Sequence, residues 1–283
     1  MLRHIPVKLL FLNNAQMNKY LLHVFFLLFC LPTFAQWSST AGPGGGTIFS
    51  IYETDGTLFS CAGAIYKSTD GGLNWEIKNK GMPLTSPVKS IYGDSMYLYA
   101  SLQSSGIFRT DDMGESWTEA NNGISGSGYW INDIYEEDGS VYAGAQYEGV
   151  YISTDHGDNW TLKNNGLEGA ARRIASIMKL NNALFVATPL GVFRSEDEGD
   201  SWLPSSDGIP ADKVYCFDIV KKDNLLFVCA LDGIYRSINE GLNWIKVGDE
   251  LFEQGTFSMT TYQNNIYADT NKKIYHSSDD RDN

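Results

Sequence analysis

One eight-residue phrase, Ser-x-Asp-x-Gly-x-x-Trp, returns five times along this chain at a nearly constant interval, with Thr110 for Ser in the second copy and Asn239 for Asp in the fifth. Its closing tryptophans are Trp75, Trp117, Trp160, Trp202 and Trp244, which follow one another at steps of 42, 43, 42 and 42 residues. Self-similarity at a period of roughly 20 to 50 residues is typical of solenoids, propellers and linear arrays. This repeat constrains the fold more than any other feature of the sequence.

The residue types of the phrase predict a tight turn. Its third position carries an acidic or amide side chain, which can accept hydrogen bonds from backbone N–H groups two residues further on. We expect the glycine to take a positive φ, and we expect the tryptophan to cover its own hairpin. The third-position residues are Asp70, Asp112, Asp155, Asp197 and Asn239, with Asp279 in a degenerate sixth copy, and the glycines are Gly72, Gly114, Gly157, Gly199 and Gly241.

Short β-rich segments separated by turn residues lie between the copies. In the fourth repeat they are residues 173–178, 183–187 and 191–195, with Asn181 and Asn182 in the first turn. Counting the segment that starts at each tryptophan, every repeat has four strands. Four antiparallel strands per repeat of about 42 residues predict an all-β fold, namely a β-propeller.

The phrase resembles the Asp-box, or BNR, repeat of bacterial sialidases, sortilin-like propellers, xyloglucanases and photosystem II assembly-factor-like propellers. The resemblance covers nearly the whole chain after its N-terminal segment. It implies the propeller fold, but these families include enzymes, receptors and assembly factors. Activity therefore has to be argued from the site rather than from the fold.

The ends of the chain predict six blades. Residues 256–269 and 273–280 supply three strands and a degenerate box of a sixth blade, which lacks its last strand. The segment at Trp37 is followed by a Gly- and Pro-rich stretch, as the box tryptophans are, and we expect it to pair beside residues 273–277 and close the ring. The alternative is that Asn283 ends a truncated frame of a larger propeller.

The N-terminal segment has the pattern of an export signal. Met17, Asn18 and Lys19 precede an apolar run over residues 20–31, and small residues follow up to Ala35. Such a run is shorter than the roughly 20 residues that span a bilayer. The sequence predicts a signal peptide over 1–35, with Met17 as a possible true start, and a single propeller domain over 36–283. The product is expected to be secreted, periplasmic or held at the cell surface, with no membrane insertion after cleavage.

Three cysteines follow the signal segment. If residues 222–223 form a hairpin turn, Cys216 and Cys229 lie opposite each other at a site where side chains approach closely. A disulfide between them is one prediction, and two buried free thiols are the alternative. Cys61 occupies the equivalent core place in the first blade.

The charge balance limits the partners. The formal net charge is −13 and the isoelectric point is near 4.7. Nucleic acid binding needs neutralising lysines and arginines, so nucleic acid is not expected as a partner. Many carboxylates are box residues that turns require, and we expect neither a metal nor another cofactor, although calcium is a conceivable alternative.

Sialidase chemistry would need three arginines converging on one substrate carboxylate. Arg109, Arg194 and Arg236 each precede the first residue of a box, so they represent one repeated position spread around the ring. A xyloglucanase-like mechanism would need two carboxylates facing each other across a cleft, a geometry that sequence cannot establish. We therefore predict no catalytic residues, with a glycoside hydrolase as the alternative.

The repeats differ most in the loops before the first strand of a blade and between its second and third strands. These loops share the face opposite the boxes, and loops on a rigid scaffold often carry binding sites. The candidate ligand residues are Tyr129, Trp130, Tyr147, Glu148, Arg172, Arg173, Asp212 and Lys213. The alternative for the first two is that they pack between blades.

The sequence predicts an exported, non-catalytic propeller that binds a protein or a surface polysaccharide through this loop face. A glycoside hydrolase of sialidase or xyloglucanase type is one alternative. An assembly factor resembling the photosystem II type is another.

Overall fold

A computed structural model describes residue 42 and residues 47–83, 85–93, 96–247, 256–262, 265–270 and 274–277. Within these residues the chain is all-β, with only two short 3₁₀ helices, Gly126–Tyr129 and Gly169–Arg172. The strands form six antiparallel sheets that follow one another along the chain. Each sheet is called a blade here and is numbered in chain order.

The first three blades have four strands each. Blade 1 contains β1 (Ser50–Thr54), β2 (Thr57–Cys61), β3 (Ile65–Ser68) and β4 (Glu76–Ile77). Blade 2 contains β5 (Val88–Gly93), β6 (Leu98–Leu102), β7 (Gly106–Thr110) and β8 (Thr118–Glu119). Blade 3 contains β9 (Ile131–Glu137), β10 (Ser140–Ala145), β11 (Gly149–Ser153) and β12 (Thr161–Leu162).

Blades 4 and 5 repeat this pattern, and blade 6 shows three strands in the described part. Blade 4 contains β13 (Ser176–Leu180), β14 (Ala183–Thr188), β15 (Gly191–Ser195) and β16 (Leu203–Pro204). Blade 5 contains β17 (Cys216–Lys222), β18 (Leu225–Ala230), β19 (Gly233–Ser237) and β20 (Ile245–Val247). Blade 6 contains β21 (Thr256–Tyr262), β22 (Asn265–Thr270) and β23 (Ile274–Ser277).

The blades are arranged as a β-propeller, which confirms the predicted fold class. In every blade the strands pair in sequential order, and the first strands of consecutive blades lie side by side. Ser50 of blade 1 and Met259 of blade 6 line the same central cavity, so the inner strands surround one axis. Trp37 and Asp279 lie outside the described residues, and closure of blade 6 by the N-terminal segment stays a prediction.

The Asp-box is a turn in which two side chains replace backbone partners. In the third copy, Ser153 Oγ accepts the N–H of Gly157 at 2.8 Å, and Asp155 Oδ1 accepts the N–H of Asn159 at 2.9 Å. The Asp155 carboxylate therefore accepts from the N–H group four residues later, and not from the one two residues later. The reason is that the two residues after Asp155 have left-handed backbone conformations. His156 has φ 55° and Gly157 has φ 83°. All five box glycines have the positive φ that the sequence predicts.

Three box tryptophans, Trp75, Trp117 and Trp160, lie against the glycines of their own boxes, as expected, and four of the five box tryptophans join neighbouring blades. Trp117, Trp160, Trp202 and Trp244 are buried, and each indole Nε1 donates to a carbonyl of the preceding blade at 2.7–3.0 Å. The backbone N–H of each of these four residues also donates to that preceding blade. Trp75 differs, since its indole donates to Gly72 O of its own box. The four tryptophans are therefore interblade fasteners.

The cysteine register differs from the predicted one. A β-bulge at residue 217 places Cys216 opposite Ala230, while Cys229 pairs with Asp218. Cys216 and Cys229 pack into separate hydrophobic clusters, and both are buried free thiols, as is Cys61. Lys222 pairs with Leu225, so the hairpin turn lies at residues 223–224, one residue later than predicted, and Cys229 faces Asp218 instead of Cys216. The disulfide prediction is therefore wrong for this arrangement.

Candidate functional site

The loops that precede the first strand of a blade contact the loop between its second and third strands. In blade 3 the Gln146 N–H donates to Trp130 O at 2.7 Å, and in blade 5 the Leu231 N–H donates to Lys213 O at 3.4 Å. Both loop types therefore lie on one face of the propeller, opposite the boxes. This surface is called the loop face below.

Two exposed aromatic rings stand together on the loop face of blade 3. Trp130 and Tyr147 have ring centroids 6.0 Å apart in an edge-to-face arrangement, and they are 37% and 50% exposed. They are called the aromatic pair. Tyr129 behaves differently, because it is half-buried and packs against the core cluster between blades 2 and 3. The packing alternative holds for Tyr129, whereas Trp130 presents its ring to solvent.

Arg172 and Arg173 follow the aromatic pair around the ring and are called the arginine pair. Both side chains are exposed. The next residue, Ile174, donates its N–H to Ala145 O at 3.0 Å, and its carbonyl oxygen accepts from Asn132 Nδ2 at 2.8 Å, which ties this segment to β10 and β9 of blade 3 beside their loop-face ends. Glu148 is held by the hydroxyl of Ser127. The structure thus brings Trp130, Tyr147 and the arginine pair to adjoining segments.

The remaining predicted ligand residues lie on blade 5. Lys213 Nζ is 3.2 Å from Asp212 Oδ2, so these two side chains neutralise each other at the surface. Exposed apolar residues that the sequence analysis did not single out continue the surface across blades 4 and 5, namely Leu190, Tyr215 and Leu231. The sequence could have indicated these three residues, because each is an apolar residue in a surface loop, where polar residues are common.

A polar cavity of about 530 Å³ opens at the centre of the loop face. One register position of the six first strands contributes to its wall with four serines and two aspartates, which are Ser50, Ser90, Asp133, Ser176, Asp218 and Ser258. Lys89 and Phe49 also line it, with the ammonium 3.9 Å from the ring centroid.

The two aspartates link neighbouring inner strands. Asp133 accepts the N–H of Ile177 from blade 4 at 3.0 Å, and Asp218 accepts the N–H of Met259 from blade 6 at 2.7 Å. Desolvation raises the pKa of Asp133 to about 6, with a further contribution from the negative charge of Asp218. Desolvation also raises the pKa of Asp218. The sequence analysis missed both residues, although they stand in the repeats where four other blades have serine.

These carboxylates do not by themselves make a hydrolase site. A glycosidase needs one carboxyl free to protonate the leaving group and another to attack or to activate water. Asp133 and Asp218 instead hold backbone N–H groups of adjacent blades. This arrangement gives both aspartates a structural role at the central cavity.

The basic residue that precedes the box in blades 1, 2 and 4 serves as an interblade contact. Arg109 Nη2 is 2.9 Å from Asp158 in the next blade, and Arg194 Nη2 is 3.4 Å from Glu240 in the next blade. Lys67 makes the corresponding contact to Glu115 at 3.1 Å. These side chains point to separate blade junctions, so the arginines of blades 2 and 4 do not converge on a common ligand.

The described part of the chain shows neither a metal site nor a membrane-spanning helix. No group of three or more His, Cys, Asp or Glu side chains there is arranged to hold a metal ion. No helix among the described residues is both long and apolar enough to cross a membrane.

Residues 151–162, the third box, match the BNR/Asp-box repeat family. No curated protein matches the sequence.

Among solved structures, the extracellular domain of a protein assigned to hybrid two component systems of B. thetaiotaomicron has a TM-score of 0.72 at 13% identity. The similarity covers 87% of this chain and 34% of that one. An ancestral GH74 enzyme has a TM-score of 0.69 at 14% identity, covering 86% of this chain and 38% of the enzyme. The chain thus spans little more than a third of either protein.

YCF48 bound to a D1 peptide has a TM-score of 0.66 at 16% identity, covering 84% of this chain and 81% of that one. At these identities the three likenesses show the shared fold alone. They include an enzyme and a peptide-bound propeller, so the fold does not select between catalysis and binding.

Proposed function

Because the chain is a β-propeller built from BNR/Asp-box repeats, we propose that it is a non-catalytic binding protein that captures a partner protein through the loop face of blades 3 to 5. The observation that carries the proposal is the exposed aromatic pair, flanked by the arginine pair. Trp, Tyr and Arg are the residue types most enriched among the side chains that dominate binding energy at protein interfaces. We further propose that the protein acts outside the cytoplasm, which rests on the signal-like segment at residues 17–35.

Polysaccharide is the second ligand class that the aromatic pair could serve, since exposed rings also stack on sugars. The arginine pair favours protein. Guanidinium groups match carboxylates in bidentate geometry, which neutral sugars do not offer. The hydrolase alternative has no specific support, because the two carboxylates at the central cavity, Asp133 and Asp218, already accept hydrogen bonds from backbone N–H groups.

The test is a selection of random 12-residue peptides displayed on phage, followed by affinity measurements. Selected peptides are expected to lose about tenfold or more in affinity for a Trp130→Ala/Tyr147→Ala variant. A Leu162→Ala/Leu203→Ala variant removes two exposed side chains from the outer strands of blades 3 and 4, and it should bind as the wild type does.

Three outcomes would contradict the proposed function. They are a selection without binders, binders indifferent to the aromatic pair, and turnover of any substrate in a panel of fluorogenic glycosides and oligosaccharides. A glycan array in which the same aromatic variant loses binding would assign the loop face to polysaccharide instead.

A further inference from the structure

We propose that the loop face of blades 3 and 4 recognises a segment of a partner protein that carries two acidic side chains beside an aromatic or aliphatic residue. This inference rests on the proposed function and specifies the chemistry of the partner. The arginine pair would take the two carboxylates, and the aromatic pair would take the apolar side chain.

The first step is that the arginine pair forms no ion pair with any residue that the structure describes. Arg172 donates from Nε to Leu167 O at 3.0 Å, and neither guanidinium meets a carboxylate within the described residues. Arg109 and Arg194, by contrast, are both bound to carboxylates. In a protein with 34 acidic and 21 basic residues, two adjacent unneutralised arginines are a local exception.

The second step is that the backbone holds the pair in place. Ala171 and Ile174, which bracket the pair, are 1% and 0% exposed. The Arg173 N–H donates to Ala170 O at 3.1 Å and the Ile174 N–H donates to Ala145 O at 3.0 Å. Anchoring on both sides limits the backbone entropy that binding would otherwise cost. The two guanidinium groups are thus presented to solvent from an ordered segment.

The third step is that Glu148, the predicted ligand carboxylate that follows Tyr147, is bound within its own blade. Glu148 receives the hydroxyl of Ser127 within blade 3. A partner carboxylate would therefore not have to displace an existing salt bridge. Each arginine can form two parallel hydrogen bonds to one carboxylate, and two arginines suit two acidic side chains.

The fourth step is that the aromatic pair adjoins this basic segment through Ala145 O, which is two residues from Tyr147. Its exposed edge-to-face rings offer apolar area at low entropic cost, since each ring has only two side-chain torsions. A flexible acidic peptide without an apolar residue would leave these rings uncovered. The combined surface fits an apolar residue flanked by acids.

The experiment uses the whole protein and the peptides selected as described above, synthesised with an amidated C-terminus and a fluorescent label. Polarisation titrations compare the wild type with Arg172→Gln/Arg173→Gln and with Lys80→Glu. Both variants lower the net charge by two, and Lys80 is an exposed residue between blades 1 and 2. The selected sequences should be enriched in Asp and Glu next to an aromatic or aliphatic residue.

The arginine variant should bind about tenfold or more weakly, while Lys80→Glu should stay within about twofold of the wild type. Replacing the peptide acids by Asn and Gln should weaken binding to the wild type by a similar factor and hardly affect the arginine variant, as expected for direct coupling.

Selected peptides that depend on the aromatic pair but lack acidic enrichment would overturn this inference alone. So would equal binding by the arginine variant, or displacement of the peptide by an oligogalacturonate at comparable concentration, which would indicate an acidic polysaccharide. Peptides that ignore both pairs would overturn the proposed function as well, so the two failures are distinguishable.

Discussion

The indole Nε1 of Trp160 donates a 2.8 Å hydrogen bond to the carbonyl oxygen of Ala120, one blade earlier in the ring. Both residues are buried. The same bond recurs at Trp117, Trp202 and Trp244. The repeated phrase therefore encodes the junction between blades as well as the turn within one.

A Trp160→Phe variant should keep most of the apolar packing but leave the Ala120 carbonyl without its donor. We expect the free energy of unfolding to fall by about 1 to 3 kcal/mol, the cost of an unsatisfied buried polar group. Urea unfolding followed by circular dichroism measures the change. Trp75→Phe is the control and should lose less, because Trp75 is half-buried and bonds within its own box; equal losses would argue against the fastener role.

Asp155 should stabilise its box through the Asn159 backbone. An Asp155→Ala variant removes the acceptor of that 2.9 Å bond and should lower the free energy of unfolding by about 1 kcal/mol. Asp111→Ala, at the exposed second position of another box, should have almost no effect. Thermal melts of both variants measure the difference, and a larger loss at Asp111 would contradict the turn mechanism.

The pH dependence of stability should have opposite signs for the aspartates at the central cavity and for the aspartates of the boxes. The pKa of Asp133 is raised from 3.8 to about 6, so its contribution is full below about pH 3.8 and is lost as the pH rises through 6. Hydrogen bonds lower the pKa of Asp155 to about 2, so its contribution is present above pH 3.8 and is lost as the pH falls toward 2.

The free energy of unfolding should therefore fall between pH 4 and pH 7, and Asp133→Asn/Asp218→Asn should flatten that slope. Lys89 lines the same cavity, where desolvation lowers the pKa of its ammonium group. Urea titrations at pH 4.5 and 7.5 measure the slope. A wild type that becomes more stable over this interval would contradict the assignment.

Closure of the ring by the N-terminal segment can be tested at Trp37. If residues near Trp37 form the outer strand of blade 6, Trp37→Ala should lower the free energy of unfolding by about 3 to 5 kcal/mol, as expected for a buried tryptophan. Trp130→Ala, at an exposed ring, should cost far less. Equal, small effects on the thermal midpoint would mean that Trp37 does not pack in the ring.

The repeat, the all-β blades and the positive φ of the box glycines could be predicted from the sequence, because each of these features depends on residues that are close in the chain. Prediction failed where a residue's role depends on the neighbouring blade. Trp160 reaches Ala120 across 40 residues, and the box phrase alone does not reveal that partner. The bulge beside Cys216 likewise depends on pairing with β18, which local composition does not fix.

The predicted loop-face residues include both partly buried and exposed side chains, and the difference again depends on the neighbouring blade. Tyr129 and Trp130 are adjacent in sequence, yet one packs into the core and the other remains exposed. Tyr129 ends a 3₁₀ helix and Trp130 follows it. Contact with the core cluster between blades 2 and 3 determines that Tyr129 is the residue that packs inward. Asp133 and Asp218 could have been found by aligning the repeats, where they replace serine in an inner strand.

Amide hydrogen exchange with and without a selected peptide tests the central claim, binding at the loop face, most directly. We expect slower exchange in residues 125–130, 146–148 and 169–174, and unchanged exchange in the boxes of blades 3 and 4. Protection confined to those boxes, or to the inner strands that line the central cavity, would contradict the loop face as the binding surface.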